Sequence, residues 1–119
     1  MDRPSTLDPR PNYDTPMPLP AISYEVTVRL TDAGDAPDFQ TWMRQEHIPA
    51  VLGTGLISTA EFARLDGQTY RTRYQAATRA GLDQYLREHS PALREEFAQR
   101  FGGRATASRE LWEPLQTWP

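Results

Sequence analysis

The chain has 119 residues, 13 basic and 16 acidic side chains, no cysteine and 38% hydrophobic content. That length supports one domain with a modest core, and the lack of cysteine excludes a disulfide framework, a thiol nucleophile and a thiolate metal site. A net charge of −3 disfavours a phosphate-backbone binder, and no apolar run approaches the roughly 20 residues that span a bilayer.

Neither nucleic acid nor membrane is therefore expected as a partner, and a small cytoplasmic protein is. All 13 basic residues are arginine, and their scatter reads as codon bias rather than as a ligand signature. The first 21 residues hold six of the eleven prolines. Proline cannot donate to a ladder and restricts the residue before it, so residues 1–21 are expected to be an extended, disordered leader. Tyr13 and Met17 are the side chains by which such an arm could grip a neighbouring subunit.

From Tyr24 the pattern alternates: Tyr24, Val26, Val28 and Leu30 against Glu25, Thr27 and Arg29, the period of a strand with one buried face. Thr31 to Asp35 is a turn. From Asp38, Phe39, Trp42, Met43 and the stem of Glu46 fall on one helical stripe. Pro49 is expected to interrupt that helix and begin a new short turn through Val51 and Leu52, closed by Gly53 and Gly55. A second strand is expected from about Leu56 to Leu65, a hairpin at Asp66-Gly67 and a return strand from Tyr70 to Ala77. Thr78 caps a helix with Leu82, Tyr85, Leu86 and His89 on one stripe. Ser90, as a second cap, and Pro91 start another, with Leu93, Phe97 and Phe101 inward, and Gly102-Gly103 stops it. A last strand runs from Ala105 to Glu113.

The order strand, helix, strand, strand, helix, strand closes into a four-stranded antiparallel sheet with helices on one face, a ferredoxin-like α+β domain over residues 22–116. Two segments nearly repeat: Glu46-His47-Ile48-Pro49-Ala50-Val51-Leu52 and Glu88-His89-Ser90-Pro91-Ala92-Leu93. Each follows an amphipathic helix, as expected of two half-domains related by a pseudo-twofold axis. That axis sets the helix C-termini at opposite ends, separated by about 15 Å of helix, so His47 and His89 are not expected to share a metal. No metal site and no cofactor are expected. The uncovered sheet face carries Glu25, Thr27, Arg29, Arg71, Arg73, Gln75, Thr59 and Glu61, with either Arg109 or Glu110 from the last strand. Such a face is solvated, or buried against a second copy with Glu25 and Glu61 paired to arginines across the interface.

The run from Tyr24 to Glu113 resembles a bacterial domain-of-unknown-function family, number 4286. Trp42, the doubled histidine-proline phrase, Thr54-Gly55, Tyr70, Tyr74 and Phe101-Gly102 carry the likeness. The resemblance implies a ferredoxin-like fold related to the dimeric α/β-barrel superfamily and brings no known activity. That superfamily includes cofactor-independent monooxygenases, muconolactone isomerase-like enzymes, haem-dependent members and stress-responsive barrels, several with a histidine in a place similar to His47.

Two functions follow as expectations. One is a homodimeric small-molecule-binding or interaction module without catalysis. The other is a cofactor-independent monooxygenase- or isomerase-like enzyme on an aromatic or polyketide-like substrate. There His47 would be the general base, Trp42 and Tyr74 would shape the pocket, and Arg73 would steady an enolate or phenolate. Glu25 and Glu61 complete the candidate binding residues. Haem ligation through one histidine is a third alternative.

Overall fold

The computed structural model describes residues 22–119; the expected leader lies outside the described residues. Four strands, β1 (Ile22–Leu30), β2 (Thr59–Arg64), β3 (Thr69–Ala76) and β4 (Ala105–Trp112), form one antiparallel sheet in the order β2-β3-β1-β4. Between β1 and β2 lie a short 3₁₀ turn (Ala33–Asp35), α1 (Ala36–Trp42), a π-helical segment (Met43–His47) and α2 (Ile48–Leu52). Between β3 and β4 lie α3 (Arg79–Glu88) and α4 (Ser90–Phe101). This is the ferredoxin-like α+β arrangement, and all helices cover the same side of the sheet.

The alternation of β1 and β3 decides which side that is. Tyr24, Val28 and Leu30 are buried with Tyr70, Thr72, Tyr74 and Ala76, while Glu25 stands opposite Arg73 and Thr27 opposite Arg71 on the other face. Two apolar clusters form beneath the helices. One joins Tyr24, Val51, Ile57, Tyr74, Leu82 and Tyr85; the other joins Val28, Leu30, Phe39, Trp42, Met43, Tyr70 and Phe101. Val26 and Ile48 pack against both. Each fully buried Leu or Phe contributes about 1.5–3 kcal/mol by leaving water.

Pro49 does not break the first helix. Trp42, His47 and Ile48 all keep right-handed helical backbone angles, and the Ile48 N–H donates to the Met43 carbonyl, five residues back. Proline brings no N–H and crowds the carbonyl four residues before it. One widened turn absorbs both defects, so the chain stays helical from Ala36 to Leu52 instead of restarting.

Smaller differences have local causes. The second strand begins at Thr59 rather than Leu56, because Gly55 (φ 79°) turns the chain and Ile57 drops into the core. The hairpin is wider than two residues: the Asp66 carboxylate accepts from the Gln68 and Thr69 N–H groups and so organises a longer loop. Thr78 caps α3 as expected, its hydroxyl accepting from the Gly81 N–H at 2.9 Å. Ser90 does not act as a cap. It is the first residue of α4, buried, and His89 takes the flanking position.

Candidate functional site

The two clusters do not close on each other completely. A cavity remains between sheet and helices, lined by Tyr24, Val26 and Val28 of β1, Tyr74 of β3, and Ala107 and Arg109 of β4. From the helices come Met43 and His47 of the π segment, Tyr85 of α3, and Ser90, Leu93, Arg94 and Phe97 of α4. Its volume is about 40 Å³. That holds about three waters, and because the cavity is open on one side a ring would seat only partly within it. A haem macrocycle is far larger than this space, so the residues present do not fit that group.

His47 enters the cavity because the π segment adds a residue to the turn that carries it. Its ring stacks on Trp42, with centroids 4.8 Å apart and planes inclined by 25°. Trp42 is itself wedged against Phe97 and Phe101, and so fixes the imidazole from behind. Nδ1 is buried without a hydrogen-bond partner among the described residues. Burial, and secondarily the Arg109 guanidinium, hold the His47 pKa down to about 4. The imidazole is therefore neutral at pH 7.

Three phenols form the opposite wall. Tyr24 stacks with Tyr74 and meets Tyr85 edge-on, at centroid separations of 6.1 and 6.3 Å. Arg94 donates to the Tyr24 hydroxyl at 3.4 Å. Burial raises the pKa of both Tyr74 and Tyr85 well above the ordinary phenol value, so both keep their protons.

The expected site residues divide between two places. His47 and Tyr74 share the cavity, and Trp42 supports it from behind. Arg73, Glu25 and Glu61 do not join them; they lie on the opposite face of the sheet. There the Arg73 Nε donates to Glu25 at 2.7 Å, and Arg71 donates to Glu61 at 2.7 Å. The period-two geometry of β1 and β3 separates the groups. Arg73 therefore cannot steady an anion beside His47 within one subunit. Glu25 and Glu61 already have arginine partners in the same chain and need none across an interface. The open position on β4 goes to Glu110, which stands opposite Glu25, while Arg109 stands opposite Val26 and enters the cavity.

Arg109, Arg94, Tyr85 and Ser90 are polar cavity residues that sequence reasoning did not assign to the site. For Arg109 the signal was its parity: it continues the apolar row Ala105, Ala107 and Leu111 rather than the polar row Thr106, Ser108 and Glu110.

A family model described as Domain of unknown function (DUF4286) matches residues 21–115. The chain belongs to this family. No curated protein matches the sequence. Among solved structures, the DUF4286 chain is similar to HapK from Hahella chejuensis, at 17% identity over 79% of this chain and 92% of that one, with a TM-score of 0.62. It is also similar to SnoaB, a cofactor-independent oxygenase from Streptomyces nogalater, at 13% identity over 84% and 98%, with a TM-score of 0.65. A third likeness is to NE2512, a protein of unknown function from Nitrosomonas europaea, at 12% identity over 79% and 90%, with a TM-score of 0.57. At these identities the likeness establishes the fold and nothing of the chemistry.

Proposed function

We propose that this DUF4286 protein is a homodimeric small-molecule-binding module, with one ligand site per subunit in the cavity between sheet and helices. One observation carries the reading. The interior of an otherwise close-packed domain is left open at the point where an unpaired imidazole, three phenols and two guanidiniums converge. Interiors of this size are normally filled, and a hollow with a few convergent polar groups is the usual form of a ligand site. Aromatic walls suit a flat ring.

Filling the cavity tests this. Ala107→Leu puts three more carbons into the space, with about 1–3 kcal/mol of overpacking cost. Small aromatic fragments that bind the wild type, read by saturation-transfer NMR, should lose binding to this variant while its circular dichroism is retained. Equal binding by both proteins contradicts the reading.

A second reading has its own support. SnoaB is described as a cofactor-independent oxygenase, and His47 is neutral at pH 7, the state a general base requires. As an enzyme, the protein would use His47 to take a proton from a ring-bearing substrate, leaving an enolate or phenolate beside Arg109 and Arg94. A pKa near 4 makes it a weak base in the empty cavity, which ranks binding ahead of catalysis. Turnover that vanishes in His47→Ala, with fragment binding preserved, would reverse that ranking.

A further inference from the structure

Among the described residues, the cavity wall carries two guanidiniums and no carboxylate. Six arginines, at positions 71, 73, 79, 87, 100 and 104, pair with acidic side chains, whereas Arg94 and Arg109, like Arg29, Arg44 and Arg64, pair with none among the described residues; of these five, only Arg94 and Arg109 line the cavity. Arg109 is the more telling of the two. It projects from the core side of β4, from the row that also holds Ala105, Ala107 and Leu111. A cation turned inward without a counter-charge is costly and is normally compensated.

The hydrogen-bonding inventory agrees. Both guanidiniums are donors only, and the Tyr74 and Tyr85 hydroxyls keep their protons. Ser90 adds a hydroxyl. The neutral ring of His47 is the one nitrogen acceptor on the wall. A partner that satisfies this surplus of donors brings anionic oxygens, and a planar carboxylate matches the guanidinium fork. The stacked pair Tyr24 and Tyr74, with Phe97, offers the flat apolar remainder.

We propose that the ligand is a ring-bearing carboxylate seated on Arg109 and Arg94, and that His47 takes up a proton from solvent as it binds. The proposal rests on the small-molecule reading above and adds the ligand's charge and the coupled proton. In the empty cavity, burial and then Arg109 keep the imidazole neutral. A carboxylate arriving there offsets the Arg109 charge and gives imidazolium an acceptor, and both effects restore the proton. The polar groups that share the cavity wall with His47 are Arg109 from β4, Arg94 and Ser90 from α4, Tyr85 from α3, Tyr74 from β3 and Tyr24 from β1. Glu46 and Glu96 line a separate surface groove beyond Trp42.

The test is calorimetric titration with benzoate and with its neutral counterpart benzamide between pH 5 and 7, in two buffers of different ionisation heat. Benzoate should bind at least tenfold more tightly than benzamide. Its affinity should rise up to tenfold per unit as pH falls, with net proton uptake. Arg109→Gln should remove the preference for benzoate, and His47→Gln should remove the pH slope and the uptake. The ring ¹⁵N shifts of His47 in the wild type read the same proton without a variant, and should move to imidazolium values on adding benzoate at pH 6. Benzamide binding as tightly as benzoate, or benzoate binding without a pH slope, overturns the inference while leaving the small-molecule reading intact. Failure of both compounds to bind removes the two together.

Discussion

His47 sits between an indole and a guanidinium, and its titration should be visible in the stability of the empty protein. Its pKa is held to about 4 in the fold, against about 6.5 for an ordinary imidazole. The unfolded chain therefore binds the proton first. Stability should be full above pH 6.5 and decline as pH falls to about 4, by roughly 2–3 kcal/mol. His47→Gln should flatten that difference in urea midpoints measured across this window, and an unchanged pH dependence would contradict the assignment. His47 was legible in sequence because its phrase is doubled and one copy follows the first helix. Arg109 was not, because β4 alternates weakly, with Ala105 and Ala107 set against Thr106 and Ser108, so that either Arg109 or Glu110 fitted the open face. Parity with Ala105, Ala107 and Leu111 favours Arg109 inward only weakly, and the register against Val26 and Glu25 separates the two. Arg73 was assigned beside His47 because spacing reveals that a residue is polar without revealing which cavity it can reach.

At the scale of the element, caps and turns carry separable energies. Thr78→Ala removes the hydroxyl that accepts from Gly81, and should cost about 1 kcal/mol in chemical denaturation. Gly102 is the tighter constraint: a Cβ there would run into the Ala98 carbonyl oxygen at the end of α4. Gly102→Ala should lower stability by more than Thr78→Ala does. A Gly102→Ala protein as stable as the wild type would mean that the end of α4 is looser than described. The strands and the Thr78 cap were readable because alternation and capping are local. The π segment was not, since proline alone does not reveal whether a helix stops or widens. That choice belongs to packing: Trp42, Met43 and Val51 are all buried, so a break at Pro49 would unseat residues on both sides of it.

For the molecule as a whole, the open sheet face presents a row running Glu61, Arg73, Glu25, Glu110 across all four strands. Arginine offsets two of these charges internally, leaving Glu110 opposite Glu25, and like charges so placed are destabilising. Burial against a second copy is the proposal for this face. Thr27, at the middle of β1 between Arg71 and Ser108, is the position to perturb. Thr27→Arg should shift sedimentation from twice the 13.6 kDa chain mass to once that mass, with secondary structure intact. A wild type that sediments as a single chain would remove the homodimer.

The hollow around His47, and not the open face of the sheet, is the proposed ligand site. Met43 lines that hollow and is the single methionine within residues 22–119, so its methyl group is a built-in reporter. Its ¹H–¹³C resonance should be followed by NMR while benzoate and benzamide are titrated in, together with the backbone amides of β1 and β3. Saturable movement of the Met43 methyl and of residues around Tyr24 and Tyr85 is expected. Movement confined to Glu61, Arg73 and Gln75, with Met43 unmoved, would contradict the account.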